Sequence, residues 1–174
     1  MSTNAEVNTS FKIIPWQYDY SKIKAIITDV DGVLTDGGMY YDVKGLAFKR
    51  FHVRDGSAIH RLKKHGYKIF ALTISEDELT LNRLRVMNFD WIMSGVSDKA
   101  SCVKLLADER GLELSEICYI GDDYWDIVAM ELVGLSIAPN DALQSVKKIA
   151  HHIAPINGGD GILAYITDML ISGD

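Results

Sequence analysis

The chain carries only two cysteines in 174 residues, too few for a disulfide framework. Cys102 falls in a stretch read as helix and Cys118 in one read as strand, apolar settings that suit reduced core thiols. No apolar run is long enough to cross a bilayer. The polar start, Met1 to Ser10, lacks the basic residues and apolar core of a secretory signal. There is no long basic run, and a formal net charge of −6 argues against a nucleic-acid surface. His52, His60, His65, His151 and His152 show neither metal-ligand spacing with cysteine nor an H-E-x-x-H pattern, so they are read as structural or solvated. Repeats and low-complexity tracts are missing too. These absences point to a cytoplasmic protein with no nucleic-acid and no membrane partner.

What is present suits one compact domain. With 48% hydrophobic residues, a chain of this length buries about 70% of its unfolded surface. Residues 1–20 read as an N-terminal lead that turns aromatic at Phe11, Trp16 and Tyr18, its second half expected to pack on the domain that fills 21–174. Apolar runs at Ile23 to Ile27, Tyr67 to Thr73, Trp91 to Met93, Ile117 to Ile120 and Leu135 to Ala138 read as strands. Helical patterns lie between and after them, near Ser57 to Lys64, Asp77 to Met87, Lys99 to Arg110, Asp123 to Leu132, Ala142 to Ala150 and Gly161 to Ile171. Strands that alternate with helices predict an α/β fold with a doubly wound parallel sheet. Gly38 to Tyr41 and Leu46 to Val53, joined by Asp42-Val43-Lys44-Gly45, read as a projecting β-hairpin flap. The spacing leaves no room for a cap domain.

The most informative stretch is Thr28-Asp29-Val30-Asp31-Gly32-Val33-Leu34-Thr35-Asp36-Gly37. Two carboxylates one residue apart follow an apolar strand, at the carboxyl end where open α/β sheets bind ligands. Alone, such a pair is as readily a turn. Thr73 then ends a second strand, Lys99 stands in Ser97-Asp98-Lys99, and Gly121-Asp122-Asp123-Tyr124-Trp125-Asp126 follows a later one. In the expected strand order the first and fourth runs are neighbours, so Asp29 and Asp31 face Asp122, Asp123 and Asp126. Two unit charges about 4 Å apart repel by roughly 4 kcal/mol at an effective dielectric near 20, so a cluster of carboxylates calls for a cation. An all-oxygen site suits Mg²⁺.

The order aspartate pair, Thr, Lys, late acidic cluster resembles the haloacid dehalogenase-like phosphohydrolases. Phe51-His52-Val53-Arg54-Asp55-Gly56 and Asn157-Gly158-Gly159-Asp160-Gly161 narrow the resemblance to a capless branch that includes phosphatases of keto-sugar acids with eight or nine carbons. It covers roughly Ile23 to Leu170. The resemblance implies that Asp29 attacks phosphorus, that Asp31 is the general acid and base, and that Thr73 and Lys99 meet the phosphoryl group and the nucleophile. It further implies that Asp29, Asp122 and the Asp31 carbonyl hold Mg²⁺, with Asp123 or Asp126 orienting them. Arg54, Asp55 and Ser75 are candidate substrate contacts. A homotetramer is implied as well, because a capless site needs cover.

Two positions depart from the branch. Thr73-Ile74-Ser75-Glu76 lacks the Gly and the Arg or Glu usual after the Thr, and Ala164 stands where octulosonate phosphatases tend to carry Arg. Ser75 with Glu78 instead reads as a capping box for the next helix. Reaction class is therefore better determined than substrate. Two other functions remain open: a catalytically weak binding or oligomerisation domain, and a phosphoacceptor signalling domain. The second is opposed by the motif order, since the middle strand Trp91 to Met93 ends in Ser94-Gly95 rather than an aspartate.

Overall fold

A computed structural model describes residues 20–171, so the N-terminal lead up to residue 19 and its expected packing lie outside the described residues. In chain order the elements are β1 (Ala25–Thr28), β2 (Tyr40–Asp42), β3 (Gly45–Phe48), α1 (Val53–Lys64), β4 (Lys68–Leu72), α2 (Glu78–Met87) and β5 (Trp91–Met93). They continue with α3 (Lys99–Arg110), β6 (Ile117–Ile120), α4 (Ile127–Leu132), β7 (Leu135–Ala138), α5 (Gln144–Ile149), β8 (His152–Ile153) and α6 (Ile162–Ile171).

Six strands form one parallel sheet in the order β5-β4-β1-β6-β7-β8, while β2 and β3 make a separate antiparallel hairpin. β1 is buried along its whole length and pairs on one side with β4, Ile26 opposite Ile69, and on the other with β6, Thr28 opposite Ile120. The order reverses at β1, which puts the switch point between β1 and β6. Alternate residues serve opposite faces of the sheet. Ile26, Ile69 and Cys118 pack with Ile59 and Leu62 of α1 and Ile166 of α6. Ile27, Phe70 and Tyr119 pack with Val103 of α3, Met130 of α4 and Val146 of α5. The result is a three-layer sandwich with no cap among the described residues, and no helix in it is long and apolar enough to cross a membrane.

The expected strands and helices are present, and four boundaries are corrected. The hairpin's second strand stops at Phe48, and α1 starts at Val53 instead of Ser57, because His52 Nδ1 accepts from the Arg54 amide at 3.3 Å and caps the helix four residues early. The cap of α2 is Asp77, which accepts from the Thr80 amide at 2.8 Å; Ser75 does not open a capping box with Glu78. The acidic segment enters α4 through a 3-10 turn, Tyr124–Asp126. A sixth strand, β8, lies at the sheet edge beside β7.

Candidate active site

Asp29 emerges where β1 ends, and its amide donates to Ile120 O at 2.9 Å, which locks the start of the loop to the end of β6. The loop then turns on itself, with the Leu34 and Thr35 amides both donating to Val30 O. Gly32 is required here twice over: its φ is +87°, and a Cβ would lie 2.0 Å from Asp122 Oδ2. The Asn157-Gly158-Gly159 segment packs on the same loop so closely that a Cβ on Gly158 would lie 1.9 Å from Gly32 O. The two glycine-rich stretches hold each other's backbones in place, and with them the carboxylates of Asp29 and Asp122.

Lys99, the first residue of α3 after the Asp98 cap, is almost wholly buried. Its Nζ sits 2.9 Å from Asp29 Oδ2 and 2.7 Å from Asp126 Oδ1. Burial alone would lower its pKa, but Asp29 and Asp126 hold it above the ordinary lysine value, so it stays charged. Asp126 accepts four donors: Lys99 and the Tyr119 hydroxyl (2.8 Å) on Oδ1, and the Asp122 and Asp123 amides (3.1 and 3.2 Å) on Oδ2. Its lone pairs are thereby spoken for, and it orients the backbone that carries Asp122.

The expected cluster of five carboxylates is narrower in the structure. Asp29, Asp122 and Asp126 each offer one oxygen within 4.8 Å of the others. Asp31 turns instead to Lys49, and Asp123 is exposed and caps the 3-10 turn through the Tyr124 amide at 2.6 Å. Burial, with Asp126 adding repulsion, pushes the Asp29 pKa up against the opposing pull of Lys99. Burial, then Asp29 and Asp126, push Asp122 up to about 8. Asp122 Oδ1 is buried and has no hydrogen-bond partner. A buried carboxylate oxygen without a donor is costly, and a divalent cation shared with Asp29 would satisfy it. Asp29 and Asp122 therefore fit a hard metal ion, while Asp126, already saturated, does not offer itself.

Asp29, Asp31, Thr73, Ser75, Lys99 and Asp123 line one cleft of about 130 Å³, rimmed by Ile74 and Trp125. Thr73 is fixed by its amide donating to Met93 O at 2.9 Å. Its Oγ accepts from the Ser75 amide at 3.0 Å, which leaves the hydroxyl proton free for an acceptor in the cleft. Arg54 and Asp55 do not join this cleft. Arg54 is exposed on the first turn of α1, in a separate groove with Arg61 and Ala164. Asp55 is buried against α6, accepting from the Leu163 and Ala164 amides at 3.0 and 3.3 Å. Two participants escaped the sequence reading: Tyr119, whose hydroxyl is hidden in an apolar strand pattern, and Lys49, which strand alternation gives no reason to bury.

A nucleophilic-looking carboxylate, a buried ammonium and a metal-fitted acidic pair at a switch point define a phosphoryl-transfer site of the kind built on doubly wound sheets. The chain belongs to the haloacid dehalogenase-like hydrolases, which match residues 41–166. It is 34% identical over 155 residues to the 3-deoxy-D-manno-octulosonate 8-phosphate phosphatase of Haemophilus influenzae, covering 89% of this chain and 86% of that protein. The Escherichia coli K12 enzyme of the same name is 32% identical, with 86% and 79% covered. The cobalt-bound structure of the Haemophilus influenzae phosphatase superposes with a TM-score of 0.84 over 88% of this chain and 90% of that one, at 34% identity. That of the Moraxella catarrhalis phosphatase with magnesium, phosphate and 3-deoxy-D-manno-octulosonate gives 0.84 at 28% identity, over 89% and 91%.

Proposed function

We propose that the protein is a Mg²⁺-dependent phosphomonoesterase that hydrolyses a phosphorylated keto-sugar acid, 3-deoxy-D-manno-octulosonate 8-phosphate or a related nonulosonate 9-phosphate. One observation carries this reading: Asp29 is held against Lys99 beside Asp122, whose inner oxygen lacks any partner. Asp29 attacks phosphorus, the ester P–O bond breaks, and Asp31 delivers its proton to the leaving sugar oxygen. A water then attacks the aspartyl-phosphate, Asp31 takes a proton from it, and inorganic phosphate leaves. Lys99 offsets charge at the nucleophile, and Thr73 donates its hydroxyl to a phosphoryl oxygen. Asp29 and Asp122, with the Asp31 carbonyl, hold Mg²⁺, which supplies charge neutralisation as negative charge gathers on the phosphoryl oxygens.

A cleft of about 130 Å³ admits a phosphoryl group but falls short of the roughly 300–1,000 Å³ of ordinary ligand pockets. The sugar must project past Ile74 and Trp125 and be covered from elsewhere. The hairpin leaves Met39, Tyr40, Tyr41 and Phe48 exposed, with Tyr40 and Phe48 stacked at 4.5 Å, and none of them folds into the core. Such a surface supports a homo-oligomer, by family resemblance a tetramer, in which a neighbour closes the site. The cytoplasm, where phosphorylated sugars are made, is the compartment that fits. The test is phosphate release from 3-deoxy-D-manno-octulosonate 8-phosphate with Mg²⁺ and with chelator, for the wild type and Asp29→Asn. Metal-dependent multiple turnover lost in the variant is expected; turnover that survives either change would remove the reading.

A further inference from the structure

Lys49 immediately follows β3 at the base of the hairpin, and its side chain is completely buried. Its Nζ lies 2.8 Å from Asp31 Oδ2, 2.9 Å from Asp77 Oδ2 and 3.0 Å from Thr80 Oγ1, with Ser75 Oγ at 3.4 Å. An ammonium has three donors, and the three shorter contacts use them all. Burial would lower its pKa, but Asp31 and Asp77 keep it above the ordinary lysine value.

The fold alone does not require this arrangement. Asp77 already caps α2 and takes the Ser75 hydroxyl, so one carboxylate neutralises the buried ammonium without Asp31. Asp31 is the second carboxylate, and its other oxygen accepts the Thr35 hydroxyl at 3.3 Å. Both oxygens are therefore held, one by the loop itself and one by a residue from the hairpin. We propose that Lys49 is a positioning residue for Asp31, fixing the carboxyl at the mouth of the cleft where the leaving oxygen departs. The proposal rests on the phosphatase reading above and adds to it the residue that aims the acid. It also ties the acid to the hairpin, since Lys49 directly follows β3.

The measurement that tests it is the dependence of turnover on the leaving group. A sugar alkoxide needs a proton as it departs, whereas p-nitrophenolate does not. The quantity compared is kcat/KM, which reports only the steps through departure of the leaving group and not the shared hydrolysis of the aspartyl-phosphate. Lys49→Met is expected to lower it about a hundredfold on 3-deoxy-D-manno-octulosonate 8-phosphate, within the range of general acid catalysis, and by about tenfold or less on p-nitrophenyl phosphate. Thr80→Val removes one acceptor of the same ammonium without touching Asp31, and is expected to leave the ratio of the two rates at the wild-type value. Should Lys49→Met fail to fold, Lys49→Met/Asp77→Asn removes the stranded Asp77 charge and reads the same ratio. Equal losses of kcat/KM on both substrates in a folded variant, or no loss on either, overturn the proposal alone. A wild-type protein inactive on both, or an active Asp29→Asn, defeats the phosphatase reading and this proposal with it.

Discussion

The Asp126 carboxylate accepts the Lys99 ammonium at 2.7 Å on the same oxygen that takes the Tyr119 hydroxyl. The residue that orients the late acidic segment is thus bonded to the cation that faces Asp29, the proposed nucleophile, so damage at Asp126 spreads to both.

Asp126→Asn leaves one acceptor oxygen where four donors converge, and the amide hydrogens face N–H groups or the ammonium. Turnover is expected to fall roughly 100-fold or more, on the scale of losing one preorganised electrostatic group. Tyr119→Phe removes a single donor to a charged acceptor, leaves the other three in place, and should cost about 1.5–3 kcal/mol of stability with little change in kcat. Steady-state kinetics and urea unfolding of the two variants check this. An inactive Tyr119→Phe beside an active Asp126→Asn would reverse the assignment.

Lys99→Met strands Asp29 and Asp126 as unpaired buried carboxylates. Breaking a buried pair from one side costs about 3–5 kcal/mol, so the variant should unfold at clearly lower urea and lose turnover. Near-native activity would remove Lys99 from the site.

Much of this was legible from the sequence because its signals are local. Apolar runs ending in polar residues gave β1, β4 and β6, and the helical pattern from Lys99 to Arg110 matches the bounds of α3. The residues that stayed hidden take their partners from far along the chain. Lys49 is 18 residues from Asp31 and 31 from Thr80, and strand alternation treats it as one more surface cation. Asp55 sits in a segment that resembles a functional motif, yet it caps a helix 108 residues later. β8, two residues long, has no periodicity to detect and exists only because β7 offers an edge.

Asp55 gives a pH prediction of definite sign. Burial, against the opposing pull of the α6 amides, raises its pKa to about 6. A carboxylate whose folded pKa is raised binds more protons folded than unfolded, so its stability contribution is complete below about pH 4 and is lost as pH rises towards 6. Asp55→Asn keeps an acceptor for the Leu163 amide and carries no charge to bury. The difference in melting temperature between variant and wild type should therefore move in the variant's favour from pH 4 to pH 7. A difference that is flat with pH would show that the Asp55 charge is not strained.

The same linkage governs Asp29 and Asp122, the proposed ligands of the metal ion. Without a divalent ion, the raised pKa values of Asp29 and Asp122, the latter about 8, make the protein lose stability as pH rises from the ordinary aspartate range towards 8. Mg²⁺ held as proposed would bind the deprotonated pair, and at 100 times its dissociation constant a ligand adds about 2.7 kcal/mol. The rise in melting temperature on adding Mg²⁺ should be larger at pH 8 than at pH 6, and chelator should abolish it. An equal rise at both values would mean that the ion binds elsewhere.

Specificity is expected to be loose, for a reason visible in the cleft. Lys99 is the only cation among its described lining residues, and that ammonium is already committed to Asp29 and Asp126. Ser75, at the position where the resembling branch supplies Arg or Glu, spends its hydroxyl on Asp77, and Ile74 beside it is apolar. Ala164, where octulosonate phosphatases tend to carry Arg, lies in the separate groove with Arg54. A missing charged hydrogen bond to a substrate carboxylate costs about 1.5–3 kcal/mol, roughly ten- to a hundredfold in binding. The values of kcat/KM for 3-deoxy-D-manno-octulosonate 8-phosphate, a nonulosonate 9-phosphate and a neutral sugar phosphate should therefore lie within about tenfold of one another, the lower end of that range. Trp125→Ala, which strips the largest side chain from the rim, should raise KM for all three alike, since a ring face grips sugar C–H groups without reading charge. A preference of several hundredfold for the octulosonate would mean that a cation reaches the carboxylate from outside the described residues of one chain, and Trp125→Ala would then leave that preference standing.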